Sequence, residues 1–451
     1  MARIFPFRAY RYETTRFDLS RVLTQPYDKI TAEMQARYYA ADPHNLIRIE
    51  KGLPQPGDGP QSSVYTRAAE TLDVWIQQGA LRQDPAPSLY ACSQEFTIPG
   101  SEQRRVRRGL LALLGLEDYS AGVVFRHEYT HTAARTDRLE LLRHIRAHTG
   151  QLLMLYDDAG SRITTHLERL MRAAPENEVK DEYEVVHRLW PVREPAAVES
   201  LAAAMADKKL LIADGHHRYE TALAYRNECR AHGAGSSPDA PHERVLATLF
   251  ALQDPGVLAL PTHRTVRGTE ALGHAYGFTA FRKSLEGIFD WYAYPFAAEK
   301  ERNAALAEFS HDLAARGKGE AARRTIGVYA GGEAFYLFML RREADLDALL
   351  EQVPATQRGL DVVLLHRLLL ERKLGLTPDA VERERNISYH RDAAEALAAV
   401  DSGAAQIAFL LNPIPPRQVY DLALSGNVLP QKSTDFYPKL LSGLAIYRLE
   451  G

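Results

Sequence analysis

Cysteine is nearly missing: the 451 residues contain two, Cys92 and Cys229. They lie far apart and lack CxxC spacing, which argues against a disulfide framework and for free thiols in a reducing compartment. Charge of one sign is also scarce. The formal net charge is −3, so no basic excess points to nucleic acid or anionic lipid. No apolar run approaches the length that spans a bilayer. The opening MARIFPFRAYRYETTRF carries basic residues without the continuous apolar h-region of a secretory signal. Internal repeats and low-complexity tracts are absent too. These absences leave a chain expected in the cytoplasm, with neither a membrane nor a nucleic acid as partner. It is long enough for two or three domains with sizeable cores.

What is present alternates. Thr31 to Tyr39 is predicted as a helix that breaks at Asp42-Pro43, and Asn45 to Glu50 as a short strand. Helix periodicity runs from Ser63 to Gly79, with Tyr65, Ala68, Ala69, Leu72 and Trp75 or Ile76 on one face. Ser88 to Ile98 and Arg104 to Leu116 are predicted as strands joined by a PGSEQ turn. Asp137 with Glu140 has capping-box spacing and is predicted to start a helix. A helix at Ala196 to Ala206 feeds a strand at Lys209 to Ala213. Further on come a hairpin (Thr325 to Tyr329, Ala334 to Leu340), a helix at Leu360 to Lys373, and a β-α-β-α tail from Ile387 to Leu424. The expected class is α/β, in the mixed α+β sense.

One stretch demands chemistry: LLIADGHHRYETAL, Leu210 to Leu223. Asp214 ends an apolar strand, Gly215 allows a sharp turn, and His216 onward reads as a helix with Tyr219, Ala222 and Leu223 facing inward. A strand, a tight turn and a helix start aim backbone N–H groups and the positive helix end at an anion. Arg218 adds a forked donor that suits phosphate. His216 and His217 can donate to phosphate oxygens or move a proton near neutral pH. Asp214 suits a hydroxyl substrate or a magnesium ion. The plain alternative is a helix cap with solvated side chains. Adjacent histidines on a helix point about 100° apart and do not face one zinc ion together.

The box resembles the one that carries nucleotide phosphates in the ParB/sulfiredoxin-like superfamily. That group includes CTP-hydrolysing partition proteins, ATP-using sulfiredoxin and the free-serine kinases, whose version is very like DGHHR. PYDKI, HEYT followed by DRLELL, ADGHHRYETAL, LPTHR and LPQKSTDFYPKLLSGL are similar to stretches of a large prokaryotic family of proteins of unknown function. The resemblance implies a ParB/sulfiredoxin-like nucleotide-binding core with large insertions and a smaller C-terminal α/β region. The expected division is a core at 1–265 with the DGHHR site, an α+β domain at 266–358, and a helix with a βαβα region at 359–451.

His127-Glu128-Tyr129-Thr130-His131 matches HExxH, the zinc-protease pattern. Zinc proteases place it inside an amphipathic helix. Here polar residues follow as far as Asp137, so it reads as strand end and loop, and no zinc is expected. His127 and Glu128 are read instead as polar groups converging on the DGHHR box, with Thr130 and Arg138 beside them. Lys432, Ser433 and Thr434 form a compact donor set without the glycines of a Walker A loop. Pro26-Tyr27-Asp28 and Thr262-His263-Arg264 are similar polar clusters beside apolar runs. Each is more often structural than catalytic unless several share one cleft.

By resemblance to the free-serine kinases, the chain is expected to be a phosphotransferase acting on a small hydroxyl compound, with serine first. ATP or ADP (CTP left open) and Mg2+ are the expected cofactors. Gly215, His216 and Thr221, with Lys432, Ser433 and Thr434, would hold phosphates; Arg218 and His217 would stabilise the transferring charge. Asp214 would orient the acceptor or magnesium, and a glutamate, Glu128 ahead of Glu50, would act as base. Dephosphorylation of phosphoserine uses the same site in reverse. Tyr27, Asp28, His263 and Arg264 complete the candidate set. The other class considered is a nucleotide-binding and -hydrolysing regulatory protein of the partition type. A dependence of turnover on an acceptor separates the two.

Overall fold

In the run Gly109-Leu-Leu-Ala-Leu-Leu-Gly115, Leu110, Ala112 and Leu114 enter one hydrophobic core, and Leu111 and Leu113 enter another. An apolar strand without polar alternation belongs in a sheet covered on both faces. The computed structural model, which describes residues 1–59, 61–128, 132–269, 277–317 and 324–449, has that arrangement. The strand Arg104–Gly115 lies inside a nine-stranded mixed sheet. From one edge the order is Val124–Phe125, Leu210–Asp214, Leu152–Tyr156, Arg244–Ala251, Arg104–Gly115, Leu89–Thr97, Val186–Val192 and Asn177–Lys180, with Ile4–Phe5 also paired to Arg104–Gly115. Neighbours are antiparallel except at two pairings, Leu210–Asp214 with Val124–Phe125 and Arg244–Ala251 with Leu152–Tyr156.

Helices cover each face. Ile163, Leu167, Ala197, Leu201, Tyr219 and Ala222 pack into one core, whereas Ala68, Leu72, Trp75, Leu141 and Ile145 pack into the other. No helix among the described residues is long and apolar enough to cross a membrane.

The chain divides into two compact units. The first takes Met1–Arg126, Thr130–Leu258 and Phe436–Gly451; the second takes His127–Tyr129 and Ala259–Asp435. The first unit therefore joins two long runs of the chain to a short stretch of tail. The second unit has its own six-stranded antiparallel sheet, in the order Phe289–Pro295, Ala334–Leu340, Thr325–Tyr329, Ile407–Leu410, His263–Val266 and Ile387–His390. Phe309 and Leu313 of the helix Glu299–Arg316 and Leu397 of the helix Ala393–Asp401 fill a core against it. The molecule is thus mixed α/β, a large mixed sheet accompanied by an antiparallel one.

Three local expectations are corrected. Asn45 to Glu50 is not a strand: Ile47–Glu50 is a helical turn. The Asn45 side chain accepts the Ile47 amide at 2.9 Å and donates to the Arg21 carbonyl at 2.7 Å, and this turns the chain before an extended pattern can form. Asp137 does not start its helix, which spans Thr132–Ile145. Its carboxylate instead accepts from the Tyr65 hydroxyl at 2.9 Å and from Arg138 at 2.6 Å. The helix expected from Leu360 to Lys373 becomes π-helical over Leu365–Lys373.

His263 carries a pH dependence. It is buried on its strand, and its Nδ1 accepts the Leu411 amide at 3.2 Å, a role open only to the neutral ring. Burial, with Arg264 beside it, pushes its pKa down to about 4. The unfolded chain takes up that proton near its ordinary value of about 6.5. Stability is therefore complete above that pH and is lost as pH falls toward about 4. Between pH 7 and pH 5 the wild type is expected to lose about 2 kcal/mol more than His263→Asn, measured as urea unfolding of the second unit. Equal losses in the two proteins would refute the assignment.

Candidate functional site

The strand Leu210–Asp214 pairs with Leu152–Tyr156, and the register shifts between Ile212 and Asp214. Such irregularities re-aim a side chain at a strand end. Gly215 follows at φ 95°, a left-handed conformation that costs glycine little, and the helix His216–Ala231 starts at the next residue. The sharp turn leaves the Asp214 carboxylate beside Arg218, one helical turn on. Arg218 Nη2 donates to Asp214 Oδ2 at 2.7 Å, and Arg218 Nη1 donates to the Gln151 carbonyl.

The other Asp214 oxygen is occupied as well. Lys439 Nζ donates to Oδ1 at 2.9 Å. Burial opposes ionisation of Asp214, yet the charges of Lys439, Arg218 and Lys29 hold the carboxyl far below the usual carboxylate range. Lys439 is positioned by its own backbone, whose carbonyl accepts from Gln94 Nε2 at 2.8 Å. Arg107, fully buried over the Phe250 ring at 4.3 Å, donates to Gln94 and to the carbonyls of Tyr437 and Pro438. Burial pushes the Arg107 pKa down to about 10, so the guanidinium stays charged at any working pH.

Arg218 opens onto a small cleft that it shares with Tyr27, Glu50, Arg138, Thr149, Gly150 and Thr221. Glu50 is buried; the Thr149 hydroxyl donates to its Oε1, and Arg138 Nη1 lies 3.5 Å from its Oε2. Arg138 also covers the Tyr27 ring at 4.3 Å, and burial pushes the Tyr27 phenol up to about 12. Gly150 brings acid and cation together. A Cβ built there would lie 3.5 Å from Arg218 Nη1 and 3.6 Å from Glu50 Oε1. Among the described residues two donors at this wall lack a partner, Arg218 Nε and the Thr221 hydroxyl, both buried.

Five of the residues singled out in the sequence, Tyr27, Glu50, Arg138, Arg218 and Thr221, thus meet at one cleft, with Asp214 behind Arg218. His216 and His217 occupy the first turn of the helix, and Asp28 is exposed beside Tyr27. His127, Glu128, His263, Arg264, Lys432, Ser433 and Thr434 belong to the second unit. There Glu128 Oε1 accepts the Ser433 amide at 3.1 Å, and His127 Nε2 lies 2.7 Å from the Thr434 hydroxyl. The Lys432 carbonyl accepts from Arg264 at 2.9 Å. Thr130 and His131 lie outside the described residues, so the second histidine of HEYTH receives no placement. Among the described residues no group of three or more His, Cys, Asp or Glu side chains is set to hold a metal. Lys439 and Thr149 are not among the candidates that the sequence singles out. Lys439 stands at the end of the DFYPK stretch, where the eye rests on the hydroxyl-rich KST before it.

The family model described as "Protein of unknown function (DUF1015)" matches residues 4–381, and Lys439 lies beyond that span. None of the curated proteins matches the chain. Among solved structures it is similar to a conserved hypothetical protein from Pyrococcus furiosus, at 13% identity over 70% of this chain and 87% of that one, with a TM-score of 0.31. It is also similar to a free serine kinase in complex with AMP, at 12% identity over 71% and 89% of the two chains, TM-score 0.33. A third is SbnI with a C-terminal truncation from Staphylococcus aureus, at 10% identity over 74% and 85%, TM-score 0.33. Likenesses this loose do not bear on the chemistry of this chain.

Gly215 is the most constrained position of the turn. A Cβ there would meet Leu152 Cδ2 at 2.9 Å and Arg218 Nε at 3.0 Å, in a backbone conformation that L residues rarely adopt. Gly215→Ala is expected to lower stability by about 1–3 kcal/mol, read as a fall of several degrees in the thermal midpoint. An unchanged midpoint would show that the turn is not held as described.

Proposed function

The chain belongs to the family described as "Protein of unknown function (DUF1015)", and on that footing we propose that it transfers a phosphoryl group between a nucleotide and a small hydroxyl compound, with serine the leading acceptor. The observation that carries the reading is Arg218, held by Asp214 at the start of a 16-residue helix, on a cleft shared with Glu50. Phosphoryl transfer needs positioning and charge stabilisation more than covalent chemistry from the protein. A helix N-terminus and a forked guanidinium supply both for an anion.

The donor set fits a phosphate. Arg218 Nε and the Thr221 hydroxyl are buried donors lacking acceptors, and phosphate oxygens are acceptors. A bound nucleotide would supply the transferable group, with Mg2+ carried on its phosphates, since this ion is commonly held by few protein ligands plus phosphate oxygens. Asp214 is assigned to clamping Arg218 and Lys439, because each of its oxygens is engaged by a cation. Glu50 takes the base's role ahead of Glu128. Glu50 lines this cleft, whereas Glu128 accepts the Ser433 amide in the second unit. Thr149 and Arg138 fix the Glu50 carboxylate, so a hydroxyl acceptor at the Gly150 wall would meet base and cation at once.

Purified protein should be incubated with ATP, ADP or CTP, with and without serine and other small hydroxyl compounds. A phosphorylated acceptor is expected. Arg218→Ala should lower its formation by on the order of 10²-fold or more and weaken nucleotide binding. Glu50→Gln should lower the rate comparably while nucleotide affinity largely survives. Hydrolysis indifferent to every acceptor would favour a regulatory nucleotide-binding protein instead. Wild-type turnover in both variants would end the proposal.

A further inference from the structure

The second unit buries a guanidinium of its own. Arg264 is 1% exposed on the strand His263–Val266, directly opposite Tyr389 in the neighbouring strand. Its Cζ lies 5.4 Å from the centroid of the Tyr389 ring. Its two terminal nitrogens donate to the carbonyls of Thr262 and Lys432, but its Nε is buried with no partner. Burial pushes its pKa down to about 10, with Tyr389 and Glu128 opposing that shift. Glu128 Oε1 already accepts the Ser433 amide. A buried cation bonded to neutral carbonyls is costly unless an anion joins it.

Two more buried polar atoms of this unit lack a partner among the described residues. His366, 4% exposed, belongs to the π-helical stretch Leu365–Lys373, and its Nε2 has no partner. Its ring is close enough to feel the Arg264 charge, which with burial holds it well below the ordinary histidine range. The Tyr389 hydroxyl is likewise buried and unpartnered. The backbone is unusual on both sides of this cluster. π-Helical turns are rare and frequent at functional sites. Lys432, whose carbonyl Arg264 uses, sits at φ 56° without being glycine.

A water molecule would satisfy some of these groups but would add nothing to the partial charge balance that Glu128 supplies. An oxyanion accepts from the guanidinium, from the phenol, and from His366 in the tautomer that carries its proton on Nε2, and adds charge opposite to the guanidinium. We propose that Arg264, His366 and Tyr389 form a second ligand site, in the unit that does not carry Asp214, for the oxyanion of a small carboxylate or phosphate compound. The site stands independently of phosphoryl transfer at the Arg218 cleft.

The test uses the full chain, with inorganic phosphate and acetate titrated separately. The readout is the NMR resonance of the His366 ring, identified by its loss in His366→Gln. A saturable shift at millimolar anion is expected in the wild type and also in Arg218→Ala, which separates this site from the first-unit cleft. Tyr389→Phe, which removes one hydroxyl and keeps the ring, should weaken the response about three- to tenfold. Arg264→Met should abolish it, and if that variant fails to fold, Tyr389→Phe decides. A response to phosphate alone assigns a phosphorylated ligand, to acetate alone a carboxylate, and to both an oxyanion of either source. The proposal is overturned if neither anion moves the resonance, if the shift disappears in Arg218→Ala, or if Tyr389→Phe responds like the wild type.

Discussion

The Asp214 carboxylate is the constraint on which the first unit's cleft depends. One of its oxygens holds Arg218 and the other holds Lys439. A carboxylate taken out of water is unfavourable alone, and so is either cation; together their desolvation is offset by short, direct hydrogen bonds. The arrangement restrains Arg218 on two sides, through Asp214 and the Gln151 carbonyl, while its Nε keeps no protein acceptor. A guanidinium fixed beforehand loses less freedom when it meets a ligand, and binding is stronger for it. The support reaches further back. Gln94 and Arg107 hold the carbonyls of Tyr437, Pro438 and Lys439, so the rigidity of the large sheet is passed to one ammonium group.

The two units use buried arginine differently. Arg107 is surrounded by acceptors and lies over an aromatic face, an architectural use of a charge. Arg264 is equally buried but retains an unpartnered nitrogen, with a histidine and a tyrosine in the same condition. Its neighbour His263 is committed to its sheet through Leu411, so within Thr262-His263-Arg264 the histidine serves the fold.

Elements with strong periodicity were legible. The DGHHR strand, turn and helix, the GLLALLG strand and the Thr325 to Leu340 hairpin follow from apolar runs and turn residues, which act locally. What escaped was decided by contacts between distant residues. Asn45 to Glu50 alternates like a strand, but the Asn45 side chain bends it, and that bend belongs to the turn bearing Glu50. Asp137 has the spacing of a cap and is used instead by Tyr65 and Arg138. The value of Glu50 lies in its neighbours on the cleft wall, which are contributed by separate segments. Lys439 was hidden for the same reason: 225 residues separate it from Asp214, and no local pattern marks a lysine that pairs across such a distance. Of the two glutamates considered as base, Glu128 lies within HEYT and Glu50 on the cleft wall, and nothing local in the sequence tells which of them meets Arg218.

That separation also sets an order of events on the ribosome. Asp214 and Arg218 are translated long before Lys439, so the nascent first unit has Arg218 and Lys29 for its aspartate but not yet Lys439. The whole second unit is synthesised between them, apart from His127 to Tyr129. The clamp is therefore closed only after most of the second unit has been made, and a chain released before Lys439 would carry the DGHHR turn without the lysine that completes it.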